Sequence, residues 1–159
     1  MQREMRRKDR EITYDEAMQL LKDAEYGVLA TAGADNIPYA VPMNYVMDNN
    51  TIYLHCARVG HKIDNIQANP NVMFTVVGKT LPVHEGIDYS TFFESAMAFG
   101  KARFVEDSDE YKNALYILTE KYFPNGMDTF EKSMAKYDFT KLHVIAIDIS
   151  HVSGKAKKE

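Results

Sequence analysis

Apolar residues recur along this chain in two rhythms, one spaced for helices and one alternating as in strands. Thr13-Tyr14-Asp15-Glu16 has the spacing of a capping box, and Ala17, Leu20, Leu21 and Ala24 continue it as a helical stripe. Residues 26–31 form an apolar strand, Gly33-Ala34-Asp35-Asn36 supplies turn chemistry, and residues 37–47 read as a second strand. Asp48-Asn49-Asn50 then turns the chain into a third strand over 51–57. Loops this short predict that the three form an antiparallel meander. Residues 61–68 read as a short helix ended by Asn69-Pro70, and 71–77 as a strand. Residues 78–89 carry no period and read as a loop. A long strand follows over 93–105, where Gly100 marks a bulge or a close backbone approach. Ser108 is placed to cap a helix over 109–122, with Tyr111, Leu115, Leu118 and Tyr122 on one stripe. Phe123-Pro124-Asn125-Gly126 ends that helix, a further helix is expected near 128–136, and residues 142–149 alternate as a closing strand.

The strand over 37–47 is unusual in having two apolar faces. One carries Ile37, Tyr39, Val41, Met43, Tyr45 and Met47; the other carries Pro38, Ala40, Pro42, Asn44 and Val46. Neither face suits water, so a core on one side and a ligand or second subunit on the other is expected. Its prolines cannot donate ladder hydrogen bonds, which places the strand at an edge or interrupts it there. No repeat or linker is visible. The pattern predicts a β-rich α+β fold with one domain over residues 1–159. About six antiparallel strands would close a small β-barrel with peripheral helices, an N-terminal arm over 1–12 and a C-terminal tail over 150–159.

Composition narrows the function. The formal net charge of −4 argues against general nucleic-acid binding, which needs a basic footprint. Arg3, Arg6, Arg7, Lys8 and Arg10 nevertheless make the arm basic, as Lys155, Lys157 and Lys158 do the tail; short runs like these fit solvated ends. One cysteine forbids an internal disulfide and fits a cytoplasmic protein. No apolar run approaches the length of a membrane-spanning helix, so no membrane role is expected.

The densest chemistry lies in His55-Cys56-Ala57-Arg58-Val59-Gly60-His61-Lys62, between a strand and a helix. A Gly-His-Lys corner at a helix start offers free backbone N–H groups beside a cation, which suits a phosphate. It equally fits an ordinary surface lysine with a neighbouring histidine. Beside an apolar strand, the corner is a seat for flavin mononucleotide (FMN). His55 and Cys56 point to opposite faces of a regular strand, which argues against a Cys–His catalytic pair. Cys56 reads as a buried apolar residue, and His55 as either a core histidine or a ligand-lining one. The five histidines are scattered without metal-ligand spacing, so no metal site is expected. Dinucleotide, Walker and nucleophile-elbow motifs are absent; any redox chemistry would have to come from a cofactor.

Met5-Arg6-Arg7-Lys8, Pro38-Tyr39-Ala40-Val41-Pro42-Met43-Asn44-Tyr45, the run from Ile52 through Gly60-His61-Lys62 to Ile66, and Phe99-Gly100-Lys101-Ala102 occur in that order. As an ordered set they resemble the pyridoxamine 5'-phosphate oxidase-like FMN-binding split-barrel family, and within it the nitroimidazole-resistance branch. The resemblance implies a split β-barrel homodimer with FMN at the subunit interface. It implies that Pro42, Met43, Asn44 and Tyr45, with His55, Cys56 and Ala57, flank the flavin ring and ribityl chain. Gly60, His61 and Lys62 would hold the phosphate, and Thr91, Glu94 and Ser95 would approach from the other subunit. Two departures stand out: the corner reads His-Lys where the oxidases carry Arg-Lys, and Phe93 stands where a tyrosine is expected. The implied function is an oxidoreductase passing electrons from a reduced donor through FMN to a small-molecule acceptor, such as a nitroaromatic 5-nitroimidazole. A flavin-binding or sensory module without turnover shares every motif, and a haem-binding split barrel would need an axial histidine such as His61 or His151.

Overall fold

In the computed structural model, which describes residues 4–136 and 139–158, the capping box closes around the first long helix, α1 (Tyr14–Asp23). The Thr13 Oγ1 accepts from the Glu16 N–H at 3.2 Å, and the Thr13 N–H donates to Glu16 Oε2 at 2.9 Å. Lys158 donates to the same carboxylate at 2.7 Å, and these bonds, Lys158 first, bring Glu16 down to a pKa of about 2.

Seven antiparallel strands follow: β1 (Gly27–Ala32), β2 (Pro38–Met43), β3 (Val46–Asp48), β4 (Thr51–Ala57), β5 (Asn71–Glu85), β6 (Asp88–Phe104) and β7 (Leu142–Lys157). They form one sheet in the order β2-β1-β5-β6-β7-β4-β3. The expected meander is therefore not made. Its middle strand splits at Asn44-Tyr45: β2 pairs with β1 at one edge, while β3 pairs with β4 at the other. The split has a local cause. The Tyr45 N–H donates to the Tyr122 hydroxyl at 2.9 Å and the Tyr45 carbonyl accepts from it at 2.9 Å, which takes this residue out of the ladder. The Tyr45 ring is fully buried against Phe74, and its hydroxyl donates to the Leu21 carbonyl.

Only Asn44 and Tyr45 separate the two edges, so Met43 and Val46 lie within about 11 Å of one another. The sheet curls until its edges almost meet, without a ladder to close it. The prolines occupy an edge strand, as their missing donors require. Seven strands replace the expected six because of this split. The expected loop over 78–89 is strand instead: β5 and β6 run on into a long hairpin turning at Gly86, with an irregularity between Val77 and Thr80. Residues 150–157 of the expected tail are strand as well, paired with β6 from Phe99 to Phe93. A β-bulge does fall at Phe99/Gly100, where a Cβ on Gly100 would stand 2.3 Å from the Asp148 carbonyl oxygen.

Inside the curl, Leu29, Ile52, Leu54, Phe74, Ile145 and Ile147 are fully buried, with Leu21 of α1 over them. The outward face of β4 and β7 is covered too. There Tyr53, Val144 and Ala146 pack under α3 (Ser108–Tyr122) and α4 (Phe130–Lys136). The N-cap of α3 is Asp107 rather than Ser108, since its carboxylate accepts from both Asp109 N and Glu110 N, at 3.1 and 2.8 Å. A 3₁₀ segment, Pro124–Thr129, delays the start of α4. At the N-terminus, Arg7 pairs with Asp9 and Lys8 with Glu4, so two of the arm's basic residues are neutralised within it; Arg3 lies outside the described residues. No helix among the described residues is long and apolar enough to cross a membrane.

Candidate functional site

β4 ends at Ala57 and the chain turns through Arg58, Val59 and Gly60 into α2 (His61–Ala68). Gly60 caps that helix at φ +129°, a conformation L side chains rarely adopt, although no atom lies within 4 Å of where its Cβ would stand. The cap has no side chain to offer. The Ile63 and Asp64 N–H groups donate to the Gly60 carbonyl at 2.8 and 3.2 Å, and among the described residues those of His61 and Lys62 have no partner. They point outward with the positive end of the helix. In the turn before them, Arg58 donates its Nε to the Leu142 carbonyl at 3.1 Å.

Packing fixes this corner in place. Ile63 and Ile66 are buried in the core, and the buried Asn65 amide donates to Thr31 Oγ1 at 3.0 Å, tying α2 to β1. The Tyr39 ring lies 4.3 Å from that of His61, which brings the edge strand β2 to the same corner. The outward side of β2 is Pro38, Ala40 and Pro42, all exposed. An anion-receptive helix start and an exposed apolar strand edge thus meet in one place.

The predicted residues divide by orientation. Pro42, Asn44, His55, Ala57, Gly60 and His61 are exposed, and Lys62 is half-buried. Met43 packs on the core, while Tyr45 and Cys56 are buried, and the Tyr45 N–H and carbonyl are both engaged by the Tyr122 hydroxyl. Burial pushes the Cys56 thiol up, and the Lys62 charge nearby opposes that shift. Thr91, Glu94 and Ser95 lie on the first half of β6, where the Glu94 carboxylate accepts from the Lys79 N–H at 3.1 Å across the β5 irregularity. Thr91 lines a cavity beside His84 and Tyr89, and Glu94 one beside Phe92 and Lys157, whereas Asn44 and His55 line a different one.

That last cavity, of about 650 Å³, lies between the sheet and α3 and α4. Its apolar walls include Leu115, Leu118, Phe123, Phe130, Met134 and Leu142. His55 sits at its edge, and desolvation lowers the imidazole pKa. Sequence reasoning missed this wall, because Leu115 and Leu118 carry the same signal as any core-facing stripe. Tyr39 and Arg58 were missed as well, although a cation two residues before the Gly-His-Lys corner is a legible sign. No group of three or more His, Cys, Asp or Glu capable of holding a metal ion exists among the described residues.

Residues 13–156 match the family model described as pyridoxamine 5'-phosphate oxidase, and the chain belongs to that family. It is similar to the crystal structure of a proposed 5-nitroimidazole antibiotic resistance protein from Bacteroides thetaiotaomicron, at 27% identity and a TM-score of 0.75, over 93% of this chain and 90% of that one. A FAD-binding protein from Mesorhizobium loti aligns at 21% identity and a TM-score of 0.66, covering 94% of this chain and 97% of that one. A FAD and haem binding protein from Mycobacterium smegmatis aligns at 16% identity and a TM-score of 0.74, covering 92% and 72%. No curated protein matches the chain.

Proposed function

We propose that this member of the pyridoxamine 5'-phosphate oxidase family is an FMN-binding oxidoreductase, built as a split-barrel homodimer with one domain per chain. The observation that carries the reading is the open start of α2: two unpartnered N–H groups, from His61 and Lys62, beside the Lys62 ammonium and against the apolar edge of β2. This donor set fits a phosphate, and the adjoining strand fits a flat apolar ring. The FAD-binding protein of the same fold supports a flavin as the ligand.

In this reading Gly60, His61 and Lys62 hold the phosphate. The segment from Pro42 to Tyr45 and the strand end from His55 to Ala57 flank the ring and ribityl chain. FMN when bound supplies the electron transfer that no side-chain constellation here provides. The chain's own part is to orient the ring by hydrogen bonds and to keep water from it. Thr91, Glu94 and Ser95 reach the site from a second copy. The outward residues of neighbouring strands support that copy: Val28, Met73, Met97 and Phe99, with Thr75 among them, make a largely apolar face beside Ala40 and Pro42. The acceptor is a small molecule of the nitroaromatic kind, a choice supported by the 27% identical protein from Bacteroides thetaiotaomicron.

An absorption spectrum tests the core of this reading. Purified protein should carry a flavin or take up FMN on reconstitution, and it should elute as a dimer at micromolar concentration. Absence of both flavin absorbance and FMN uptake would sink the function, and a dispersed monomer would sink the dimer. Oxidation of the reduced flavin by nitroaromatic compounds separates an enzyme from a binding module.

A further inference from the structure

The cavity under α3 and α4 differs in the charge of its lining from the corner at Lys62. Among the described residues that line it, none is Asp, Glu, Lys or Arg. Several of its polar groups are already engaged. Thr119 Oγ1 donates to the Leu115 carbonyl at 2.7 Å and Thr129 Oγ1 to the Gly126 carbonyl at 2.9 Å, while the Tyr122 hydroxyl bridges Tyr45 and Glu25. The side chains of Asn44, His55 and Ser133 also line the cavity and have no hydrogen-bond partner among the described residues. Asn44 and His55 stand on the sheet side and Ser133 on α4, so free polar groups lie on two walls with apolar surface between them.

A ligand that matches this arrangement is uncharged, has a flat apolar body and carries acceptor oxygens at both ends. We infer that the cavity is a binding site for a para-quinone of fused rings, its rings against Leu118, Phe130 and Met134 and its carbonyl oxygens accepting from Asn44 or His55 at one end and Ser133 at the other. A volume of about 650 Å³ lies within the usual range for small-molecule pockets and accommodates a naphthoquinone. An anionic analogue is disfavoured because no cation is among the lining residues; Arg58 reaches only the Leu142 carbonyl, which it already occupies as a donor at 3.1 Å. The quinone's role as electron acceptor rests on the flavin reading; its binding does not.

The test is calorimetric titration of 2-methyl-1,4-naphthoquinone and of 1,4-naphthoquinone-2-sulfonate into the full chain, alone and saturated with FMN. The neutral quinone should bind in both states, with the sulfonate at least about tenfold weaker. Ser133→Ala, which loses one hydrogen bond, should weaken the quinone by about 2- to 12-fold. Asn44→Leu, at an exposed position, should do the same without filling the cavity, which keeps the test available if the α4 variant misfolds. Equal affinity for the sulfonate, no quinone binding, or no loss in either variant overturns the inference. Displacement of the quinone by FMN also overturns it, since Asn44 and His55, which flank the flavin ring in the proposed function, would then not be free to meet a quinone beside it. Quinone binding by a protein that takes up no FMN upholds the site and removes only the acceptor role.

Discussion

Two clusters of charge sit near opposite ends of the β4–β7 ladder, and they have been left in opposite states. Near the end where Thr51 faces Asp148, Arg103 is fully matched. Its Nε donates to Asp148 at 2.9 Å, and its Nη1 and Nη2 donate to the two oxygens of Glu110 at 2.9 and 2.7 Å. The Tyr53 hydroxyl donates to the same carboxylate at 2.9 Å. At the other end, where Ala57 faces Leu142, the α2 start has donors, a lysine and a histidine but, among the described residues, no acceptor to meet its first two N–H groups. Each end presents cations, so charge alone does not tell them apart. What differs is satisfaction: the matched cluster fastens α3 to the sheet, and the unmatched one is open to a ligand.

The largest test of that division is Tyr45, which the sequence groups with the open corner and the structure places among the matched groups. Tyr45→Ala removes a fully buried ring packed on Phe74. It should cost about 3–5 kcal/mol of stability, read as a lowered denaturant midpoint. A variant that kept its stability and lost only ligand binding would move Tyr45 to the other side of the comparison.

Lys62→Ala probes the open corner directly. Loss of a charge-assisted contact to phosphate should weaken FMN binding by about 1.5–3 kcal/mol, or about 10- to 150-fold. Riboflavin, which lacks the phosphate, should lose little, and stability should hardly change. Equal losses for both flavins would point to a packing defect, and no loss for either would make Lys62 an ordinary surface lysine.

Tyr122→Phe should have an intermediate effect. It leaves the Tyr45 N–H without its acceptor and should destabilise by about 1–3 kcal/mol in equilibrium unfolding. This residue also marks where the sequence stopped being legible. Tyr122 reads there as one position of an apolar helical stripe, and nothing local says that its hydroxyl crosses 77 residues to reach the backbone at Tyr45. That bond splits the predicted strand over 37–47 and sends its halves to opposite sheet edges, so the failed meander and the extra strand have one cause. Signals set by neighbours in sequence survived well: the capping box at Thr13, the Asn69-Pro70 helix stop, the edge prolines and Gly100 at its bulge. The hairpin over 78–89 was illegible because its residues alternate poorly and depend on long-range pairing. The corner at Gly60 was legible because its chemistry is contiguous. The cavity under α3 was not, because its walls come from segments far apart in the chain.

The smallest effect belongs to the matched cluster, through pH. The Arg103 guanidinium, and next the Tyr53 hydroxyl, hold the Glu110 carboxyl below its usual range against the opposing effect of desolvation. Because the folded-state value is depressed, the unfolded chain takes up the proton first as pH falls below about 4.5. The stability contributed by the pair is therefore whole above that pH and lost as pH drops through the folded-state value. Arg103 is partly exposed, at 43% for its side chain, so solvent screening limits the contribution to no more than about 1 kcal/mol. Glu110→Gln cannot titrate, so as pH falls below about 4.5 its unfolding free energy should fall less steeply than that of the wild type. Identical pH slopes for the two proteins would mean that the matched cluster, for all its hydrogen bonds, adds nothing to folding, and the contrast with the open corner would then be one of geometry alone.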